Sequence, residues 1–208
     1  MAQKHENQTR QRSRKIVMVT YRDAHILDVV GPLEILTGSK YFLPAGPAPY
    51  DVTVVAAKAG PVETTSGLTI DAQAAFADVM HDISEIDTLI VSGGHGTALA
   101  LEDQMLLEYV RTAAPRARRV VSICTGAMIL AEAGLLDGKR ATIHWENQDS
   151  FGEAFDEVEL TKSVFVVDGN RMTTAGGTSS IDLMLKLIAD DHGEDRANAV
   201  ADQLIDSS

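Results

Sequence analysis

The sequence predicts an α/β fold, a doubly wound and mostly parallel sheet with helices on both faces. Short apolar, β-prone runs alternate with helical segments along the chain, which is the pattern of parallel sheets. The 208 residues are 45% hydrophobic, which suits one α/β domain with a substantial core. Glycine turns or a cysteine follow several predicted strands, at the sheet edge where such folds bind ligands.

The predicted strands are short runs bounded by turn residues. Residues 16–20, 51–57, 87–92 and 119–123 are rich in valine, isoleucine and leucine, which is typical of buried strands. Residues 164–168 and 171–174 pair naturally across Gly169 and Asn170, which favour a hairpin turn. Residues 41–50 contain three prolines and predict a loop, and residues 60–71 predict a turn with short extended pieces.

Helices are predicted over residues 31–38, 103–114, 125–133, 179–191 and 194–205. In the fourth of these, Ile181, Leu185 and Ile188 fall on one helical face. The last is acidic and amphipathic. Because no repeat, low-complexity tract or rich linker interrupts this alternation, residues 15–206 are predicted to form a single domain.

The charge is unevenly distributed. The net charge is -12, yet residues 1–15 hold five basic groups against Glu6, so the remaining chain carries 13 basic and 29 acidic residues. Residues 1–14 are predicted to be a disordered basic leader, with a phosphate-binding arm as the alternative. A body this acidic repels nucleic acid, so we expect DNA binding only through a domain that is not present in this chain.

The composition also bears on compartment and cofactors. No apolar run is long enough to span a bilayer, the N-terminus is polar, and the single cysteine suits a reducing compartment, so we expect a cytoplasmic protein without membrane contact. The six histidines show no close ligand spacing and one cysteine cannot form a thiolate cage, so no metal site is expected. No nucleotide-binding glycine motif is present, and no cofactor is expected.

Cys124 is the most informative residue. It follows an apolar strand and precedes a helix, with Ser122 and Gly126 two residues to either side. Small neighbours at a strand-to-helix corner predict a nucleophile elbow, and the helix N-terminus would favour the thiolate. The alternative is a buried structural cysteine.

Two further segments complete a candidate site. Gly94 and His95 lie in a glycine turn whose N–H groups, with that of Thr125, would form an oxyanion hole, or the turn is an ordinary strand–helix connection. Asp28 lies in an apolar segment, either as an acid that hydrogen-bonds the thiol and shuttles a proton or as a helix N-cap ahead of Pro32.

Other pocket candidates have weaker signals. His144 is interpreted as a base or pocket donor, or as neither, and the same holds for the side chain of His95. Trp145, the only tryptophan, would wall an apolar pocket or fill the core. Gly177 lies in a segment that either caps the pocket or begins the following helix.

Together these motifs resemble the ThiJ/PfpI superfamily, whose flavodoxin-like fold is also like that of class I glutamine amidotransferases. The resemblance covers residues 15–205 and is carried by segments 27–32 (Leu-Asp-Val-Val-Gly-Pro), 93–96 (Gly-Gly-His-Gly), 122–127 (Ser-Ile-Cys-Thr-Gly-Ala), 141–145 (Ala-Thr-Ile-His-Trp) and 175–177 (Ala-Gly-Gly). It implies that Cys124 is the nucleophile, Asp28 its acid partner, and the backbone of Gly94, His95 and Thr125 an oxyanion pocket. The protease-like branch has histidine where this chain has Thr125, which argues against a protease.

Two subgroups are most similar. One is isonitrile hydratase; the other is the ligand-sensing N-terminal domain of GlxA-like regulators of the AraC family, which resembles residues 141–147 and 174–188. Such regulators continue into a helix-turn-helix domain about where this sequence stops. The resemblance implies a homodimer that binds a small molecule near Cys124. The first hypothesis for the function is a ligand-sensing domain, and the alternative is an isonitrile hydratase-like enzyme. The third hypothesis is a redox or stress role through Cys124.

Overall fold

The computed structural model describes residues 13–42, 47–80 and 86–204. Residues 1–12 of the predicted leader, the last residue of the final predicted helix (205) and the last residue of the predicted domain (206) lie outside the described residues. The strand predicted from residue 16 begins at Arg14, which was assigned to the leader.

A seven-stranded sheet forms the centre of the domain. The strands of the structure are β1 (Arg14–Val19), β2 (Tyr50–Ala56), β3 (Gly60–Glu63), β4 (Thr69–Ala72), β5 (Ala74–Ala75), β6 (Ile86–Val91), β7 (Arg119–Ile123), β8 (Arg140–Ala141), β9 (Glu159–Leu160), β10 (Phe165–Asp168) and β11 (Arg171–Thr174). The order of strands in the central sheet is β10-β11-β7-β6-β1-β2-β5, and every neighbouring pair is parallel except β10 with β11. Two small sheets, β3–β4 and β8–β9, lie outside it.

Helices cover both faces of the sheet, which confirms the predicted fold class. They are α1 (Ile26–Gly38), α2 (Phe76–Val79), α3 (Thr97–Ala100), α4 (Gln104–Ala113), α5 (Gly126–Glu132), α6 (Gln148–Ala154), α7 (Ser179–His192) and α8 (Glu194–Leu204). Among the described residues, no helix is long and apolar enough to cross a membrane. Cellular compartment stays a prediction.

Strand alternation divides the core into two clusters. In β1, Ile16 and Met18 belong to one cluster, whereas Val17 and Val19 belong to the other. Successive side chains of a strand point to opposite faces, so a central strand covered on both sides is apolar throughout. Each fully buried side chain of this kind contributes about 1.5–3 kcal/mol to folding.

The first helix differs most from its prediction. A start at Gly31 was expected beside Pro32, since proline suits the first helical turn. Instead α1 begins at Ile26 and contains Pro32 in its interior. Val29 and Ile35 are buried in the cluster that also contains residues of α7, and this packing offsets the hydrogen bond that proline cannot make.

Candidate functional site

Cys124 occupies a strained corner between β7 and α5. Its φ angle is 55°, a conformation that non-glycine residues rarely adopt, and its backbone N–H donates to the Thr174 carbonyl at 3.0 Å. Neighbouring backbone approaches so closely that a Cβ on Gly93 would lie 2.7 Å from Cys124 Cβ. The residue is 3% exposed. This geometry is that of the predicted nucleophile elbow.

Asp28 lies beside the thiol. It lies in the first turn of α1, where His25 rather than Asp28 is the N-cap, so the alternative interpretation of Asp28 as a helix cap is wrong. Its Oδ1 accepts a hydrogen bond from the Gly177 N–H at 3.1 Å. The carboxylate, Cys124 Sγ and a ring nitrogen of His25 lie within 4.8 Å of one another. The fold therefore brings together an acid and a thiol that are 96 positions apart in the sequence.

Burial disfavours ionisation of both groups, and Asp28 further raises the pKa of the thiol, whereas the Cys124 side chain lowers the pKa of Asp28. Burial raises the pKa of Asp28, against the lowering effects of the Gly177 hydrogen bond and the His25 charge. Burial and the neighbouring Asp28 carboxylate raise the pKa of Cys124 to about 12, although the Thr125 backbone N–H opposes them. The Thr125 N–H at the start of α5 thus acts in the expected direction, but desolvation and a nearby like charge outweigh it.

The side chain of Thr125 is hydrogen-bonded to the glycine turn that follows β6. Its Oγ1 accepts a hydrogen bond from the Gly94 N–H at 2.9 Å and lies 2.7 Å from Thr97 Oγ1. Thr97 in turn contacts the Tyr21 hydroxyl at 2.9 Å, all within the buried interior. The Gly94 N–H is thus already paired and does not point freely at a substrate oxygen, as the predicted oxyanion hole requires. Thr125 acts in this structure as the centre of a hydroxyl network.

A cavity of about 380 Å³ opens beside the thiol. Its lining includes Cys124, Thr125, His25, His95 and His144. This size is within the range of small-molecule sites. The structure therefore brings both predicted histidines to one cavity, together with His25, whose role the sequence did not reveal.

Trp145 neither walls this cavity nor fills the core. Its side chain is 71% exposed, and its ring lies 5.8 Å from that of His144, centroid to centroid. The interpretation of Trp145 as a core residue is therefore wrong, and its role at a pocket stays a prediction; the residue begins a 3₁₀ turn, Trp145–Asn147.

Some site residues had only weak signals in the sequence. His25 and Asp28 are three residues apart, a spacing that places both on one side of a helix, but the helix was predicted to begin later. Thr97 and Tyr21 follow predicted strands, yet their hydroxyls meet Thr125 only through tertiary packing. Gly177 holds Asp28 through its backbone, which is compatible with its predicted position at the pocket.

Comparisons with known proteins agree with this architecture. Residues 14–190 match the sequence model of the DJ-1/PfpI family. A ThiJ/PfpI family protein from Pseudomonas syringae has a similar structure, with a TM-score of 0.81 and 27% identity, covering 100% of this chain and 82% of that one.

Proteins of two kinds are similar to this chain in sequence, transcriptional regulators and an enzyme. The HTH-type transcriptional regulator CdhR of Pseudomonas aeruginosa is 39% identical over 73% of this chain and 44% of the regulator. The HTH-type transcriptional regulator GlxA of Rhizobium meliloti is 34% identical over 76% of this chain and 48% of the regulator. The isonitrile hydratase of Pseudomonas putida is 35% identical over 86% of this chain and 72% of the enzyme. The chain thus spans less than half the length of the regulators CdhR and GlxA.

Proposed function

The chain belongs to the DJ-1/PfpI family, and on this premise we propose that it is a ligand-sensing domain whose Cys124 cavity binds a small nitrogen-containing metabolite. Regulators named HTH-type match it over about three quarters of its length. DNA recognition belongs, in this proposal, to a separate domain.

The observation that carries the proposal is the state of the groups around the cavity. Burial and the Asp28 carboxylate raise the pKa of the thiol, and the Gly94 N–H is already bonded to Thr125. A thiol whose ionisation is disfavoured and a Gly94 N–H that is already paired favour binding over acyl chemistry.

The charge of the cavity indicates the class of ligand. Among the described residues that line it there is no lysine or arginine, whereas Glu146 lines it and Asp28 lies beside Cys124. An amine or ammonium group would therefore be attracted, and a carboxylate would be repelled. His144 and Asn147 supply further polar groups for orientation.

A ligand screen tests this proposal. Thermal unfolding should shift upward with one or more small ammonium or amine metabolites, because a ligand at 100 times its Kd adds about 2.7 kcal/mol of stability. Matched carboxylates of the same size should have no effect. The variant Cys124→Ala, with its cavity lining altered, should lose most of the shift. If carboxylates bind and amines do not, the charge argument is wrong.

The second candidate is an enzyme of the isonitrile hydratase type. It is favoured by the Asp28–Cys124 pair and by a match that spans 72% of the hydratase. Cys124 would add to the terminal carbon of the isonitrile: the S–C bond forms, and the thiol proton reaches that carbon through Asp28, giving a thioimidate. Water then adds to the same carbon and the thiol leaves, which releases an N-substituted formamide.

Turnover separates the two candidates. Formamide production by the wild-type protein that disappears in Cys124→Ala would establish the enzyme, provided that the variant remains folded. Absence of product, beside an active hydratase control, would exclude it. The redox hypothesis is weakened by the raised thiol pKa, since oxidation requires thiolate character, and intact mass after mild peroxide tests it directly.

A further inference from the structure

Three potential metal ligands converge beside the cavity although their sequence spacing does not suggest it. His25 is the N-cap residue of α1, Asp28 lies in the first turn of the same helix, and Cys124 is at the elbow after β7. One ligand atom from each lies within 4.8 Å of the others. We propose that His25, Asp28 and Cys124 form a binding site for one divalent cation of the zinc class.

The donor set fits that ion. Zinc is bound by thiolate sulfur, imidazole nitrogen and carboxylate oxygen, and sites with three protein ligands keep a fourth position open. Here the fourth position would face the cavity, because His25 and Cys124 both line it. The thiolate selects zinc-class ions over magnesium or calcium, which prefer oxygen ligands throughout.

The required rearrangement is small. Donor atoms around a tetrahedral zinc ion lie about 3.5 Å apart, so the present separations would close by at most about 1.3 Å. His25 is only half-buried, and its side chain makes no capping hydrogen bond. Its ring meets the His95 ring edge-on, with centroids 4.8 Å apart, a contact that orients it without fixing it. The imidazole of His25 is therefore the ligand that can adjust most easily.

An independent observation points to a cation here. Asp28 is 1% exposed, and its Oδ2 is buried without a hydrogen bond of normal geometry to any described residue, the Cys124 thiol being the neighbouring side chain that lowers its pKa. The neighbouring Cys124 is a second ionisable acid, and the described lining of the cavity holds no lysine or arginine. A buried carboxylate oxygen normally has a partner. A divalent ion would be that partner and would compensate both negative charges.

Metal binding releases protons from the ligands. When the ion binds, the S–H bond of Cys124 breaks and a sulfur–metal bond forms, and the proton leaves to water. A proton on the Asp28 carboxyl group, if present, leaves in the same way. No electron is transferred, and the ion keeps its charge.

The test is a titration of the full chain with Co²⁺ as a spectroscopic probe, followed by competition with Zn²⁺, in a non-thiol reductant. We expect one Co²⁺ per chain and a thiolate-to-cobalt charge-transfer band in the near ultraviolet. The band should be absent in Cys124→Ser. His25→Ala and Asp28→Asn should each weaken binding by at least about tenfold. Zn²⁺ should displace Co²⁺ stoichiometrically.

The matched control is His144→Ala. His144 lines the same cavity but is not part of the three-residue cluster, so its loss should leave the metal affinity within about twofold of wild type. Circular dichroism checks that every variant is folded, and His25→Ala, at a half-buried position, keeps the test valid if Asp28→Asn unfolds.

Two results would overturn the proposal. One is a wild-type protein that shows no charge-transfer band at millimolar Co²⁺. The other is equal metal binding by Cys124→Ser, which would show binding elsewhere on the chain. Because no organic ligand is present in the titration, either failure leaves the sensor proposal standing, and failure of the ligand screen leaves the metal site standing.

Discussion

Replacing Asp28 by asparagine should make Cys124 more reactive rather than less. The substitution keeps the size of the side chain but removes the carboxylate that, after burial itself, raises the pKa of Cys124 to about 12. Asp28 and Cys124 lie within 4.8 Å of each other, and at that upper bound, with an effective dielectric constant of about 20, two like charges repel each other by about 3.5 kcal/mol. Removing that repulsion lowers the thiol pKa toward its ordinary value, although burial continues to raise it.

The expected gain in rate is smaller than the gain in thiolate. At pH 8 the thiolate fraction should increase about 300-fold, but a less basic thiolate is a weaker nucleophile, and the net gain in alkylation rate should be about 20-fold. Cys124 is the only cysteine, so intact mass after iodoacetamide reports this residue alone. The metal-free protein is kept in a chelator, and rates are measured between about pH 7 and 10.

The shape of the pH profile distinguishes charge from access. The rate of Asp28→Asn should begin to level off within this pH range, whereas that of the wild type should continue to rise. The matched control is Asp23→Asn, because the side chain of Asp23 is 42% exposed and pairs with Arg22, so its removal should change the rate less than about twofold. An unchanged or slower alkylation of Asp28→Asn would refute the electrostatic account of this site.

Three further predictions concern stability. Thr125→Ala should lower the free energy of unfolding by about 1–3 kcal/mol, because it leaves the buried Gly94 N–H unpaired, and Thr125→Ser should recover most of it; urea titration measures both. The pKa of the Cys124 thiol is raised on folding, so its contribution to the free energy of folding is fully present below about pH 9 and is lost as pH rises toward 12. In Cys124→Ser, stability should therefore decrease less steeply at alkaline pH. Asp191→Asn should destabilise the fold by about 1.5–3 kcal/mol in thermal or urea unfolding, since it removes the carboxylate 2.7 Å from the buried Arg119 guanidinium while Asp87, at 3.2 Å, remains; a loss below about 0.5 kcal/mol would contradict this.

The oligomeric state stays a prediction. A homodimer was expected from the family resemblance, and the residues that would form its interface are not indicated by the sequence. Light scattering of the purified chain measures the mass directly, and a monomer at micromolar concentration would contradict the expectation.

The sequence predicted the sheet well because buried parallel strands are continuous apolar runs. The strand before the elbow was predicted at its observed bounds, Arg119–Ile123, and the hairpin of β10 and β11 was predicted from Gly169 and Asn170. Short elements were missed. The helix α6 and the two-residue strands β8 and β9 have too few residues for a period to emerge, and their formation depends on packing against the rest of the domain.

The order of elements and the position of Cys124 follow from the sequence by itself, because hydrophobic periodicity and small residues at a corner are local properties of the chain. The chemistry at that corner was decided only by the tertiary structure. Ionisation of the thiol depends on burial and on Asp28. The Gly94 N–H is paired because Thr125 Oγ1 lies beside it. The three possible metal ligands converge because of how α1 is placed against β7. Electrostatic interactions and hydrogen bonds act over distances of a few ångströms in space, and residues 28 and 124 become neighbours only when the sheet has formed.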